Sequence, residues 1–168
     1  MKDLKTVKKG LKSERPMPWE FLPDIELYMD QVLTYVKRQL INERPDANLT
    51  AAMVNNYIRD RIIPRTVGKK YTKDHLALLT AICVLKPVLS VGDVSFLFRL
   101  FSKDKIKEIY ESYRMVLDEQ LLAASNAIPE TDNEQEIADA IIRFAISSYA
   151  NKVAAEQLID MLKEKKAN

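Results

Sequence analysis

The chain holds three glycines, one cysteine, one tryptophan and one histidine in 168 residues, and no apolar run of membrane-spanning length. Scarce glycine leaves little material for a phosphate-cradling loop or for close backbone approach to a cofactor. No zinc-ligand spacing and no serine elbow occurs either, so an enzyme is not expected, and no catalytic, cofactor-binding or metal-binding residues are assigned. The lone cysteine, Cys83, rules out a disulfide within the chain. It lies in the apolar run 76–85 and reads as a buried thiol, because a reactive thiolate needs electropositive neighbours. The lone histidine, His75, has no second histidine to share a metal and reads as a partly buried structural residue. No apolar stretch approaches the roughly 20 residues that span a bilayer, and no basic segment leading into an apolar signal core opens the chain. A cytoplasmic protein without membrane contact is the expectation.

What is present points to helices. Hydrophobic residues make up 47% of the chain and charged residues 30%, enough for a sizeable core. Between the prolines the sequence is rich in Leu, Ala, Ile, Lys and Glu, most of them good helix formers. The net charge of +2 conceals an uneven distribution. Residues 1–101 carry 17 Lys or Arg against 11 Asp or Glu, whereas 102–168 carry 9 against 13. A basic half and an acidic half imply different tasks.

Residues 1–20 form a basic flexible arm or solvated tail, with Lys2, Lys5, Lys8, Lys9, Lys12 and Arg15. Apolar residues from Ile25 to Leu40 recur at helical spacing after Asp24, which predicts a first helix over 24–41. A polar loop over 42–49 contains Pro45 and Asp46. Thr50 then caps a second helix running from Ala51 to about Ile63, and Pro64 stops it. The segment 65–71 has a glycine between β-branched and aromatic residues and reads as a small hairpin. Thr72 caps a strongly apolar third helix that Pro87 disturbs. Ser90 and Asp93 have the spacing of a capping box before a short fourth helix. Ser102 opens a longer amphipathic helix ending by Pro129, and a last helix covers about 133–165, with Ile137, Ile141, Phe144, Ala145 and Ser148 along one face.

The region most suggestive of function is 59–73, where Arg59, Arg61, Arg65, Lys69, Lys70 and Lys73 face only Asp60, a cluster able to neutralise phosphates. Just before it, Asn55 and Asn56 lie on the non-core face of the second helix. An amide side chain can pair with adenine through two hydrogen bonds in the major groove, and Arg59, one turn on, can reach a guanine or a phosphate. A run of lysines and arginines is also what a solvated helical face looks like. Carboxylates mostly sit at helical spacing with basic residues, as in 103–108, and no pair of them gathers in an apolar cleft.

The run VNNYIRDRIIPRTVGKKYTKDHLALL, from Val54 to Leu79, with the later SVGDVSFLF, resembles the DNA-binding head of the MerR (mercury-resistance regulator) family. That likeness implies a recognition helix bearing Tyr57 as a phosphate contact, a wing that begins at Pro64 and carries Lys69 in place of an arginine, and a next helix opened by Tyr71 and Thr72. Arg61 stands where the family pattern has a glycine, and the loop before the second helix is longer than in a tight helix-turn-helix. More broadly, LTAAMVNNYIRDRIIP with KKYTKDHLALLTAICVLKPVLSV resembles the bacterial family catalogued as domain of unknown function 1836, which implies no activity.

Together these observations give an all-α fold with a MerR-like winged helix-turn-helix head over 21–101, followed by long amphipathic helices over 102–168 that dimerise or sense a signal. The expected function is that of a DNA-binding regulator. Its contacts to double-stranded DNA would be Asn55, Asn56, Tyr57, Arg59, Arg61, Arg65, Lys69, Lys70, Tyr71 and Lys73. The expected partners are DNA, a second copy of the chain, and an unidentified small-molecule or protein effector, for which Tyr110, Tyr113 and Phe144 can line a pocket. The alternative is a helical protein-interaction or structural module that keeps the head shape without DNA contacts.

Overall fold

A computed structural model describes residues 3–39, 48–101 and 103–167. Among them are seven α-helices and no strand: α1 (Leu4–Ser13), α2 (Met29–Arg38), α3 (Ala51–Arg59), α4 (Lys73–Leu85), α5 (Val91–Leu100), α6 (Ile106–Ala127) and α7 (Glu134–Ala167), with short 3-10 turns at Trp19–Phe21 and Lys103–Lys105. The all-α expectation holds. No described helix is long and apolar enough to cross a membrane. The chain divides into two compact units, one of residues 15–118 and one of residues 1–14 with 119–168, so the head expected at 21–101 lies inside the first.

Local chemistry starts the helices of the first unit. The Thr50 side chain accepts from the Met53 amide at the head of α3. Ser90 accepts from the Asp93 amide at 3.1 Å and donates to the Asp93 carboxylate at 2.6 Å ahead of α5. The core centres on α4, where Leu76, Leu79 and Ile82 are essentially inaccessible, with Val32 and Val36 of α2 and Val54 of α3. Helix α2 contacts both α3 and α4. Cys83 is buried as expected, and burial pushes its thiol up to about 11.

Helix α2 starts at Met29 rather than at residue 24. The Leu27 amide donates to the Tyr71 carbonyl at 2.9 Å and the Tyr71 amide to the Leu27 carbonyl at 2.8 Å, so the backbone at Leu27 is extended and paired across to the segment before α4. The expected end of that helix at residues 40 and 41, the polar loop at 42–47 and the start at Ser102 lie outside the described residues. Residues 15–22 form a strap on α6. Its Met17 carbonyl accepts from the Tyr110 hydroxyl and its Pro16 carbonyl from Arg114, while the Trp19 amide donates to Glu111 and the Met17 amide to Gln39 of the turn after α2. Ion pairs Arg15–Asp118 and Lys107–Glu20 flank it.

In the second unit α1 is capped by Asp3, whose carboxylate accepts from the Thr6 amide at 2.8 Å. Lys8 of α1 pairs with Glu130 at 3.2 Å, and the buried Ser125 hydroxyl donates to the Lys8 carbonyl. Asn133 caps α7, accepting from the Gln135 and Glu136 amides, and acidic residues in the first turn with lysines in the last match the helix dipole. Ile159 of α7 is buried, yet all ten residues of 141–150 are exposed, including Ile141, Ile142, Ile146 and Tyr149.

Candidate nucleic-acid interface

Helix α3 has two distinct faces. Val54 and Tyr57 are buried and Met53 and Ile58 half-buried, whereas Ala52, Asn55, Asn56 and Arg59 are all exposed. The exposed set recurs at i, i+3, i+4 and i+7, which places both amides and the guanidinium on one stripe. Arg59 forks onto the neighbouring Asp60 at 2.9 and 3.2 Å, and this hydrogen bonding holds the Asp60 carboxyl below the usual range.

The helix ends in a Schellman motif. The Arg61 amide donates to the Ile58 carbonyl at 3.1 Å and the Ile62 amide to the Tyr57 carbonyl at 2.8 Å, with Arg61 in the left-handed region at φ +57°. The positive φ that a glycine usually supplies is thus adopted by an arginine. Ile62 packs its buried side chain under the turn, and Arg61 stays exposed. Six residues after Arg61 the chain turns again at Val67–Gly68–Lys69–Lys70. Gly68 (φ +59°) and Lys69 (φ +60°) both take positive φ, and the Lys70 amide donates to the Val67 carbonyl at 3.1 Å. Two successive positive φ values define a type I′ turn, the geometry of tight hairpins, here reduced to one isolated bridge between Val67 and Lys70. Val67, Gly68, Lys69 and Lys70 are all exposed.

His75 ties this turn to α4. Its Nδ1 accepts from the Thr72 amide at 3.0 Å, and its Nε2 lies 3.2 Å from the Pro64 carbonyl, to which it donates in the neutral Nε2–H tautomer. Tyr71 stands edge-on to the ring at 5.5 Å. Burial lowers the His75 pKa, partly offset by the Pro64 bond and by Asp74. A histidine at the third helical position thereby does the work of the glutamate or glutamine of an ordinary capping box.

The ten residues singled out from the sequence fall into three groups. Asn55, Asn56, Arg59, Arg61, Arg65, Lys69 and Lys70 are exposed, with Lys70 3.5 Å from Glu26. Lys73 is half-buried; it pairs with Asp24 at 2.6 Å and sits over the Trp19 ring at 5.6 Å, so its charge is engaged within the unit. Tyr57 and Tyr71 are 3% and 4% exposed, and burial raises both phenols. Their rings belong to the core, which leaves surface contacts to the other residues. Sequence reasoning passed over Arg99 of α5, which lines the same cavity as Arg61 and Arg65 and donates to Ser95 at 2.7 Å. Its i, i+4 spacing from Ser95 was a legible but weak signal. Of the aromatic residues considered for an effector pocket, Tyr110 and Tyr113 stack at 5.9 Å inside the first unit, and desolvation raises both phenols. Phe144 belongs to the second unit.

Residues 17–116 match the model of a family described as Domain of unknown function (DUF1836). The matched stretch coincides, to within two residues at each end, with the compact unit 15–118. No curated protein and no solved structure matches the chain.

Proposed function

We infer from the two-faced character of α3 that this chain, which belongs to the DUF1836 family, is a non-enzymatic, cytoplasmic DNA-binding regulator with a MerR-like winged helix-turn-helix head. The observation carrying the reading is the exposed stripe Asn55, Asn56 and Arg59, followed within one short segment by the exposed cations Arg61, Arg65, Lys69 and Lys70. Amide and guanidinium groups on one helical face suit base edges in a major groove, and cations on the adjoining turns suit the flanking phosphates. In this reading α3 is the recognition helix and the Gly68–Lys69 turn is the wing. Lys73, Tyr57 and Tyr71 hold the scaffold.

The exposed apolar residues of α7 support a homodimer, because a helical segment that is apolar around most of its circumference is ordinarily covered. The same exposure favours the second reading, a protein-interaction module that keeps the head shape without DNA contacts.

Binding of the full chain to mixed-sequence duplex DNA across a salt series separates the two. Four phosphate contacts give a slope of log affinity against log salt of about −4, with a complex detectable at about 50 mM salt. No complex at that salt, or affinity indifferent to salt, rejects DNA binding in favour of the interaction module.

A further inference from the structure

A cavity of about 530 Å³ opens beside the end of α3, with Leu78 of α4, Phe98 of α5 and Phe101 among its apolar lining and Arg61, Arg65 and Arg99 among its polar lining. Among the described residues, no aspartate or glutamate lines it. All three arginines are exposed, Phe101 is 49% exposed, and among the described residues no ion pair joins Arg61 or Arg65 to a carboxylate. Three cations thus border an apolar hollow of small-molecule size, without a counter-charge among the described residues of its wall. One of them, Arg61, is held at the rim by left-handed backbone at φ +57°, a conformation that costs a non-glycine residue free energy and tends to persist where a side chain has a task.

We propose that this cavity binds a small amphipathic anion, with a carboxylate, sulfonate or phosphate held by Arg61, Arg65 and Arg99 and an apolar chain or ring laid over Leu78, Phe98 and Phe101. The planar guanidinium fork donates paired hydrogen bonds to the oxygens of such groups, and the bound anion relieves the mutual repulsion of the three cations. The apolar body gains by leaving water. Resting on the DNA reading, a consequence follows: Arg61 and Arg65 serve both ligand and phosphate, so the anion displaces duplex DNA and the cavity is the effector site.

Direct titration of the full chain, without DNA, tests the site. The probes are octanoate and 2-naphthoate, each beside its neutral primary amide. At least one carboxylate binds saturably with Kd below about 1 mM, and its amide binds about tenfold more weakly or worse. The double variant Arg65→Gln/Arg99→Gln loses about tenfold in carboxylate affinity with its thermal midpoint retained, while Lys166→Gln on α7 binds as the parent does. Absence of saturable binding by both carboxylates, equal binding of the amides, or undiminished binding by the double variant overturns the proposal. Because no DNA is present, these outcomes leave the DNA reading standing, and failure of duplex binding leaves the cavity result standing. Displacement of duplex by the carboxylate is then the separate measure of the regulatory consequence.

Discussion

Arg61 occupies a backbone position where a side chain costs about 1 kcal/mol relative to glycine. Arg61→Gly should therefore raise stability by about that amount, seen as a rise in Tm of roughly 3 °C, while weakening duplex binding. A lowered Tm would mean that the arginine contributes packing that outweighs its strain. His75 gives a pH prediction. Its pKa is depressed below the ordinary 6.5 by burial, so the folded state binds a proton less readily than the unfolded chain. Its contribution to stability is complete above about pH 6.5 and is lost as pH falls through the depressed value. Urea midpoints measured down a pH series should fall in that window. His75→Gln, which keeps an acceptor for the Thr72 amide but gives up the Pro64 bond, should cost about 1 kcal/mol at neutral pH and flatten the dependence. An unchanged slope in the variant would place the titration elsewhere. At this scale the sequence revealed the exposed amides and cations well, because helical spacing separates Asn55 and Asn56 from Val54 without tertiary information. It did not reveal that Lys73 is drawn to Asp24 and Trp19, or that His75 reaches Pro64, since those contacts depend on where distant segments land.

Helices were legible where their ends carry their own chemistry. Thr50, Thr72 and Ser90 each cap a helix at the position their side chains predict, and α4 ends two residues before Pro87. The start of α2 was not legible, because the pairing that keeps Leu27 extended comes from Tyr71, far along the chain. Helix α1 was missed in a segment read as an arm, although Asp3 as a cap and Leu4, Val7 and Leu11 at helical spacing were there to be read. Residues 65–71 read from the sequence as a hairpin; their Gly68–Lys69 tip has the required backbone, but within the segment only one bridge forms. The two elements proposed to face DNA make separable predictions. Asn55→Ala on α3 should reduce discrimination between duplex sequences, whereas Lys69→Asn, which suits the left-handed backbone, and Lys70→Ala should weaken all duplexes alike and lower the salt slope by about 1 each. Equal, sequence-blind losses for all three would remove base reading from α3.

For the whole molecule, the matched stretch 17–116 agrees with the unit 15–118, and α7, which carries the proposed dimer surface, lies outside both. Sedimentation equilibrium of the full chain should give a dimer, and Ile142→Asp/Ile146→Asp, at two positions 55% and 63% exposed, should give a folded monomer. A monomeric parent at about 100 μM, a concentration at which micromolar dimers are populated, would end that proposal. The strap at residues 15–22 has a different consequence. Four of its hydrogen bonds run through peptide groups, the Pro16 and Met17 carbonyls and the Met17 and Trp19 amides, which almost any amino acid would supply. Its partners Gln39, Tyr110, Glu111 and Arg114 contribute side chains that few others can imitate. Mutational tolerance is therefore uneven along the ribbon: exposed Met17 can drift in identity, barring proline, whereas buried Pro16 and Leu22 and the Trp19 ring against Tyr110 are as restricted as the surface they clasp.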